Sequence, residues 1–358
     1  MIKKTILMLL VLVGGVMSAN AVDDIYLRTD FKGDDKWNSD DAAYKFTFDK
    51  TNASNEDVYT YTINASDIST SDVWFRIHIS GWGAQICPYT TNGSYTFHFS
   101  NGQNETYGAK YEKSYFQGDT YSFGISHSTI KASQYKITLF RGKNEVYYEN
   151  ENCRVMWIKV EIVSMPAKIG PWGYTTFSCN RALDLSSVSN AYYVAANPTT
   201  TSVKLVQASG TVQAGEGLVL YGEKDAGITI PVAESGTATA LDGNLLVGCP
   251  TETVLNKETP NYSNIYVLVN TNTQAEFQNV KNWIDGEKTV TIPAGKAYLQ
   301  ALTTSAPSFS LEFDDETTGI ANIERTISDN QYYTLDGRRV AQPTKGLYIV
   351  NGKKVIIK

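Results

Sequence analysis

The sequence predicts an all-β protein with more than one domain. Its 358 residues suffice for two domains and a tail at about 100–200 residues per domain. Aromatic residues make up 12% of the chain and include 23 tyrosines, and the stretches between them are rich in Thr, Ser, Asn and Gly. Strands favour aromatic residues and turns favour small polar ones, so this composition indicates short strands joined by turns.

Residues 1–21 have the pattern of a secretory signal peptide. Lys3 and Lys4 precede an apolar run from Ile6 to Val16, and small residues follow as far as Ala21. We therefore expect an exported protein that is cleaved near Ala21. The apolar run is shorter than the roughly 18–20 residues that span a bilayer, so we expect no transmembrane span in the mature chain.

Residues 22–164 alternate apolar and polar side chains, with turn residues between the segments. This period of two indicates half-buried strands, and its repetition predicts a β-sandwich. Trp74 and Trp157 stand inside apolar strand segments, which favours a place for both in the core. The clearest segments are Tyr44–Phe48, Val58–Ile63, Val73–Ile79, Tyr135–Phe140 and Met156–Ile162.

Three further regions follow the sandwich. Residues 165–314 are richer in Gly, Val, Ala and Thr and predict a second β domain that acts as a spacer or stalk. Residues 315–329 are polar without a regular apolar period, which is typical of a linker. In residues 330–358 the pairs Asp336-Gly337 and Asn351-Gly352 each stand between apolar segments, and such pairs predict tight hairpins. We expect a tail of two hairpins.

Four cysteines remain in the exported chain, namely Cys87, Cys153, Cys179 and Cys249. Three disulfide pairings are possible, and the spacing does not choose among them. If a bridge forms, we favour one within each half; otherwise all four are small buried hydrophobic residues. No CxxC pair is present, so the sequence does not predict a structural zinc site.

Parts of the chain resemble known families. The tail from Tyr333 to Val355 resembles the C-terminal sorting domain that is associated with type IX secretion and surface attachment in Bacteroidota. The second domain resembles a module that often precedes such tails, through Gly173–Phe177 and Pro293–Leu299. The first domain, through Ile25–Arg28, Trp37 and Phe75–Ile77 leading to Trp82, resembles the starch-binding modules of glycan-capture proteins. These resemblances imply an outer-membrane surface location and an immunoglobulin-like first domain.

Exposed aromatic side chains in the first domain are the candidate ligand-binding residues. Sugar binding needs a flat aromatic face and a few placed polar groups. Trp82 stands between glycines just after a strand, and Trp37 stands in a polar loop, so both are candidates for stacking on sugar rings. Gln85, Tyr89 and Lys36 could supply polar contacts beside them. The sequence therefore predicts a polysaccharide or glycan as the partner.

Other function classes find less support in the residues. A net charge of −6 gives no electrostatic reason to expect nucleic acid as a partner, since proteins that bind nucleic acid carry a basic face. No Gly-x-Ser-x-Gly motif is present, and a two-carboxylate glycosidase would leave no local motif. The acidic run from Asp34 to Asp41 departs from the EF-hand spacing, which favours a solvated loop. We expect no catalysis, no metal and no cofactor. The alternative function is an adhesin or structural protein that binds host or neighbouring proteins.

Overall fold

The structure of the protein is a computed structural model. It describes residues 24–37, 39–80, 85–88, 94–99, 104–112, 122–148, 151–199, 201–234, 238–286, 288–302, 306–314, 332–334, 339–340, 345–350 and 353–357, with the backbone alone at 110–112, 143–148, 151–155, 350 and 353–357. Almost all regular structure is strand, so the all-β prediction is confirmed. The described part of the chain holds no helix with the length and apolar character needed to cross a membrane.

The first unit is a sandwich-like β structure that precedes residue 164. Its strands are hydrogen-bonded in the order β2-β3-β9-β10-β7-β5-β4-β8-β6. Strands β5 and β8 pair with the same edge of β4, at different residues, and β1 pairs with the opposite edge. Within the described residues, one short helix, α1 (His127–Ile130), and two 3-10 turns, Ala42–Tyr44 and Ala65–Asp67, interrupt the strands. The strands are β1 (Ile25–Thr29), β2 (Thr47–Thr51), β3 (Glu56–Asn64), β4 (Val73–Ile79), β5 (Gln85–Pro88), β6 (Tyr95–Phe97), β7 (Glu105–Glu112), β8 (Phe123–Ile125), β9 (Gln134–Tyr148) and β10 (Glu151–Lys168).

The inner face of this sheet forms the first apolar core. Successive side chains of a strand point to opposite faces, so paired residues on neighbouring strands form rows across the sheet. Met156 of β10 pairs with Ala109 of β7, which pairs with Pro88 of β5, and all three are buried. Phe75 of β4 and its partner Phe123 of β8 are also buried and stack at 5.4 Å. The alternate residues therefore point outward.

The second unit contains a larger sheet and two small strand pairs. The large sheet has the order β11-β16-β13-β14-β24-β21-β20-β23-β18, while β12 pairs with β15 and β19 with β22. Two 3-10 turns, Tyr262–Asn264 and Val280–Asn282, flank β20 and β21. The strands are β11 (Tyr174–Phe177), β12 (Leu183–Asp184), β13 (Ala191–Tyr193), β14 (Ser202–Gln207), β15 (Thr211–Val212), β16 (Leu218–Tyr221), β17 (Gly227–Pro231), β18 (Leu246–Cys249), β19 (Thr253–Leu255), β20 (Ile265–Asn270), β21 (Ala275–Asn279), β22 (Val290–Ile292), β23 (Lys296–Gln300) and β24 (Ser308–Phe313).

Strand β10 joins the two units without a break at residue 164. Its last residues, Ser164–Lys168, pair with Gly227–Pro231 of β17. Val232, which follows β17, is buried in the apolar core of the first unit. Arg181 of the second unit donates a hydrogen bond from Nη1 to Asn104 Oδ1 at 3.2 Å, and its guanidinium lies 5.4 Å from the centre of the Phe99 ring. The two units therefore share a sheet and an interface.

The tail forms two hairpins, as the glycine pairs predict. Strand β25 (Tyr332–Tyr333) pairs with β26 (Arg339–Val340), and β27 (Gly346–Val350) pairs with β28 (Lys353–Ile357). Pairing of β25 with β27 joins the hairpins into one four-stranded sheet. The turn residues of both hairpins lie outside the described residues.

The cysteines of the second unit are buried thiols and form no bridge with each other. Cys179 packs in one apolar cluster and Cys249 in another, so the bridge favoured for this half is absent from the structure. Burial raises the pKa of the Cys179 thiol to about 11. Cys87 is also buried, and the side chain of Cys153 lies outside the described residues.

Candidate functional site

A cleft on the outer face of the first unit brings two tryptophans together. Five of the described residues line it, and its volume is about 300 Å³. Trp74 is 38% exposed and Trp37 is half-buried. The lining residues are Asp30, Trp37, Trp74, Ser94 and Ser122.

Strand β4 places Trp74 on the solvent side of the sheet. Val73 and Phe75 on either side of it are fully buried, so the pleat directs the indole outward. The expectation that Trp74 belongs to the core is therefore wrong. The indole lies across Gly124 of β8, where an added Cβ would stand 2.7 Å from Trp74 Cζ3. Glycine at this position lets the ring lie flat on the neighbouring strand.

Trp37 is held against the sheet by the loop between β1 and β2. The backbone N–H of Lys36 donates to the carbonyl of Thr29 at 3.0 Å, and the N–H of Trp37 donates to Asp35 Oδ1 at 3.2 Å. The guanidinium of Arg76 lies 5.3 Å from the centre of the Trp37 ring, within the range of a cation–π contact. Arg76 is 7% exposed. The buried guanidinium of Arg76 therefore contacts the Trp37 ring and stabilises its position.

The polar groups of the cleft come from three chain segments. Arg76 Nε donates to Ser122 Oγ at 3.1 Å, and the N–H of Ser122 donates to Ser94 Oγ at 2.9 Å. The carboxylate of Asp30 makes no hydrogen bond or ion pair within the described part of the chain, although it lies at the wall of the cleft. Asp30 can therefore accept hydrogen bonds from a ligand, and the Ser122 hydroxyl can donate one.

Ion pairs fasten the rest of this loop to the sheet. Asp40 Oδ1 accepts from Arg28 Nη2 at 3.0 Å and from His78 Nδ1 at 2.7 Å. Lys36 Nζ lies 3.1 Å from Asp41 Oδ2 and 3.8 Å from Asp34 Oδ2. The acidic run thus serves to position the loop that carries Trp37. Lys36, a candidate for ligand contact, is engaged in this network and does not line the cleft.

The remaining candidate residues lie away from the cleft or outside the described residues. Gln85 opens β5 opposite His78 and is half-buried, away from the lining of the cleft. Trp82 and Tyr89 lie outside the described residues. Trp37 is therefore the candidate that the structure places in the cleft, and Trp74 is the partner that sequence reasoning missed. The sequence did contain a signal that Trp74 points outward, because Trp74 lies on the same face of β4 as the polar residues Arg76 and His78.

The buried His78 and the half-buried His127 lead us to expect that the stability of the fold decreases as the pH drops below about 6.5. Burial, reinforced by the Arg28 charge, lowers the pKa of His78 from 6.5, and burial lowers the pKa of His127. The unfolded chain then binds more protons than the folded chain between pH 6.5 and the folded pKa. Their contribution to stability is complete above pH 6.5 and is lost as the pH falls through this window.

Thermal unfolding at pH 7.5 and pH 5.5 tests this expectation. We expect the Tm to fall by roughly 2–4 °C in the wild-type chain, and by less in His78→Asn, whose amide can still donate to Asp40. An equal fall in the variant would exclude His78 as a contributor.

The sequence and the structure were also compared with known proteins. No protein-family model, no curated protein and no solved structure matches the chain.

Proposed function

We propose that the protein is an exported, non-catalytic surface protein that binds a glycan in the cleft between Trp37 and Trp74. The observation that carries this proposal is the pair of partly exposed indoles in one cleft, together with the carboxylate of Asp30, which has no partner among the described residues. Indoles stack on the apolar faces of pyranose rings, and carboxylate and hydroxyl groups hold sugar hydroxyls. A few polar groups among aromatic walls are the usual composition of a small-molecule site.

The size of the cleft favours a modest affinity. Its volume of about 300 Å³ is near the lower end of the range of about 300–1,000 Å³ that is common for ligand sites. We expect dissociation constants between about 1 mM and 1 μM, or about −4 to −8 kcal/mol. Export and surface attachment remain part of the proposal, supported by the signal-like residues 1–21 and the resemblance of the tail to sorting domains.

Affinity electrophoresis of residues 22–358 tests the proposal. Native gels would contain starch, another α-glucan, xylan, mucin glycans or no polysaccharide. We expect retardation in at least one glycan gel, and we expect Trp74→Ala and Trp37→Ala to abolish it, because removal of a stacking indole lowers affinity about tenfold or more. Trp283→Ala is the matched control, since Trp283 is 36% exposed but belongs to the second unit.

The outcomes of this experiment distinguish glycan binding in the cleft from an adhesive role. Retardation that Trp74→Ala removes and Trp283→Ala keeps would support the cleft as the site. Unchanged mobility of the wild-type chain in every gel would reject glycan binding and would favour an adhesive role, since Trp157 and Trp172 offer exposed aromatic surface for protein contact.

A further inference from the structure

Four polar side chains away from the cleft meet at the boundary between the two units. Lys159 and Glu161 lie two residues apart on β10, so they share one face of the sheet. Lys159 Nζ lies 2.5 Å from Glu161 Oε1, and Asn104 Nδ2 donates to the same oxygen at 3.4 Å. Arg181 Nη1 donates to Asn104 Oδ1 at 3.2 Å. One carboxylate oxygen therefore contacts both a lysine amine and an asparagine amide.

Strand pairing brings the Lys159 amine within reach of the Asn104 amide. Lys159 pairs with Thr106 of β7, and Asn104 directly precedes the first residue of that strand. Lys159 and Asn104 are therefore diagonal neighbours on adjacent segments, a separation of about 7–8 Å that long side chains cross. Rotation of the Lys159 side chain about its own bonds suffices to bring Nζ to Asn104 Cγ.

The surroundings of the four groups are low in water. Arg181 is 4% exposed, the Glu161 side chain is 12% exposed and the Lys159 side chain is 34% exposed. Burial disfavours a separate ammonium and carboxylate, and it thus favours transfer of a proton from Lys159 to Glu161 along their short contact. That transfer leaves a neutral amine, which is a nucleophile, beside a carboxamide.

The four groups supply the parts of an amide exchange. The Nζ lone pair of Lys159 attacks Asn104 Cγ, and the electron pair of the C=O bond moves to Oδ1, where the Arg181 guanidinium stabilises the negative charge. Glu161 gives its proton to Nδ2 and takes one from Nζ. The C=O bond then re-forms, the Cγ–Nδ2 bond breaks and ammonia leaves. The reaction requires no oxidant, reductant or further reactant.

We propose that Lys159 and Asn104 become joined by an isopeptide bond, formed once within each chain with Glu161 as the proton carrier. The bond closes a covalent loop over residues 104–159 and ties β10 to the segment that opens β7. A cross-link of this kind stabilises the fold by restricting the unfolded chain. The inference is independent of glycan binding in the cleft.

Intact mass spectrometry of residues 22–358 under denaturing conditions tests the bond. We expect the wild-type chain to be lighter than its sequence mass by about 17 Da, the mass of one ammonia, and its digest to contain a branched peptide that joins Asn104 to Lys159. Lys159→Arg and Glu161→Ala should both have the full sequence mass. Lys136→Arg is the matched control, since Lys136 also pairs with Glu161 but forms its ion pair with Glu234, and this variant should still lose ammonia.

Two results would overturn the proposal. The first is a wild-type chain of full sequence mass. The second is a loss of ammonia that Lys159→Arg retains, because an asparagine that precedes glycine, such as Asn351, loses ammonia by attack of its own backbone. We expect Lys159→Arg, which keeps a cation beside Glu161, to fold with a Tm lower by roughly 5–10 °C. The branched peptide of the wild-type chain decides the question even where a variant does not fold.

Discussion

Replacing Gly248 by alanine should destabilise the protein by about 3 kcal/mol or more, because the methyl group has no space. An added Cβ would stand 2.1 Å from the carbonyl oxygen of Gly215 and 2.2 Å from Ser178 Oγ. Ser178 is fully buried. The obstacle at Gly215 is backbone, which cannot rotate away as a flexible side chain can. Strand β18 would therefore have to move away from the neighbouring segments.

Four segments meet at this point, which is why one methyl group has so large an effect. The N–H of Gly215 donates to the carbonyl of Cys179 at 2.8 Å, and the N–H of Gly295 donates to the carbonyl of Cys249 at 2.8 Å. Gly295 in turn accepts from the N–H of Ser178 at 3.0 Å. Displacement of β18 would strain these hydrogen bonds together.

Thermal unfolding of Gly248→Ala beside Gly227→Ala measures this effect. Gly227 is also a strand glycine, but an added Cβ there meets nothing within 4 Å. We expect a fall in Tm of roughly 6–12 °C for Gly248→Ala, or failure to fold, and a change within about 0.5 kcal/mol for Gly227→Ala. Similar Tm values for the two variants would show that the contact at Gly248 is relaxed in solution.

Cutting the chain after Ser164 should remove much of the stability of the first unit. The cut separates Val232 from the core of that unit, and it removes both residues 165–168 at the end of β10 and their partner strand β17. It also removes Arg181, which is 4% exposed between Asn104 and Phe99. An unpaired strand end and an opened core favour aggregation.

Calorimetric unfolding of residues 22–164, 22–314 and 22–358 tests this coupling. We expect 22–314 to unfold in the same transition as the two units of 22–358, and 22–164 to unfold at a Tm lower by roughly 10 °C or without a cooperative transition. The fragment 22–314 is the control for truncation itself, since it keeps the interface. An equal Tm for 22–164 and 22–314 would show that the first unit is an independent domain.

Glycan-binding experiments on this protein should therefore use the chain with both β units. A failure of the fragment 22–164 to bind would not distinguish a lost cleft from an unfolded one. Trp74 is tied to β1 by a hydrogen bond from Thr29 Oγ1 to the Trp74 carbonyl at 2.6 Å, so the geometry of the cleft depends on the integrity of the whole sheet.

The pattern of residues was sufficient to predict the all-β fold class and the strand pairs of the tail. Alternation with a period of two is a local property of each strand, and it predicted the all-β class that the structure confirms. The strand pairs of both tail hairpins were also predicted from their Asp-Gly and Asn-Gly pairs. The pairing of Val350 with Lys353 leaves the two residues Asn351-Gly352 between β27 and β28, as predicted, whereas the pairing of Tyr333 with Arg339 leaves five residues between β25 and β26. Local sequence is sufficient where the determining interactions are between near neighbours.

Neighbours that are distant in sequence decided the candidate site. Trp74 lines the cleft because Gly124 lies beside it, and Trp37 reaches the same cleft because Arg76 and the loop ion pairs hold it there. Strand parity alone would have directed both Trp74 and Trp157 outward; both are partly exposed, so the expectation that Trp157 belongs to the core is also wrong. Strand register in the first unit arises from pairings between residues as distant in sequence as Glu56 and Gly142. The sequence by itself determined which segments are strands and turns, whereas tertiary structure decided which aromatic rings share a surface, because the segments that carry them meet only when the sheet assembles.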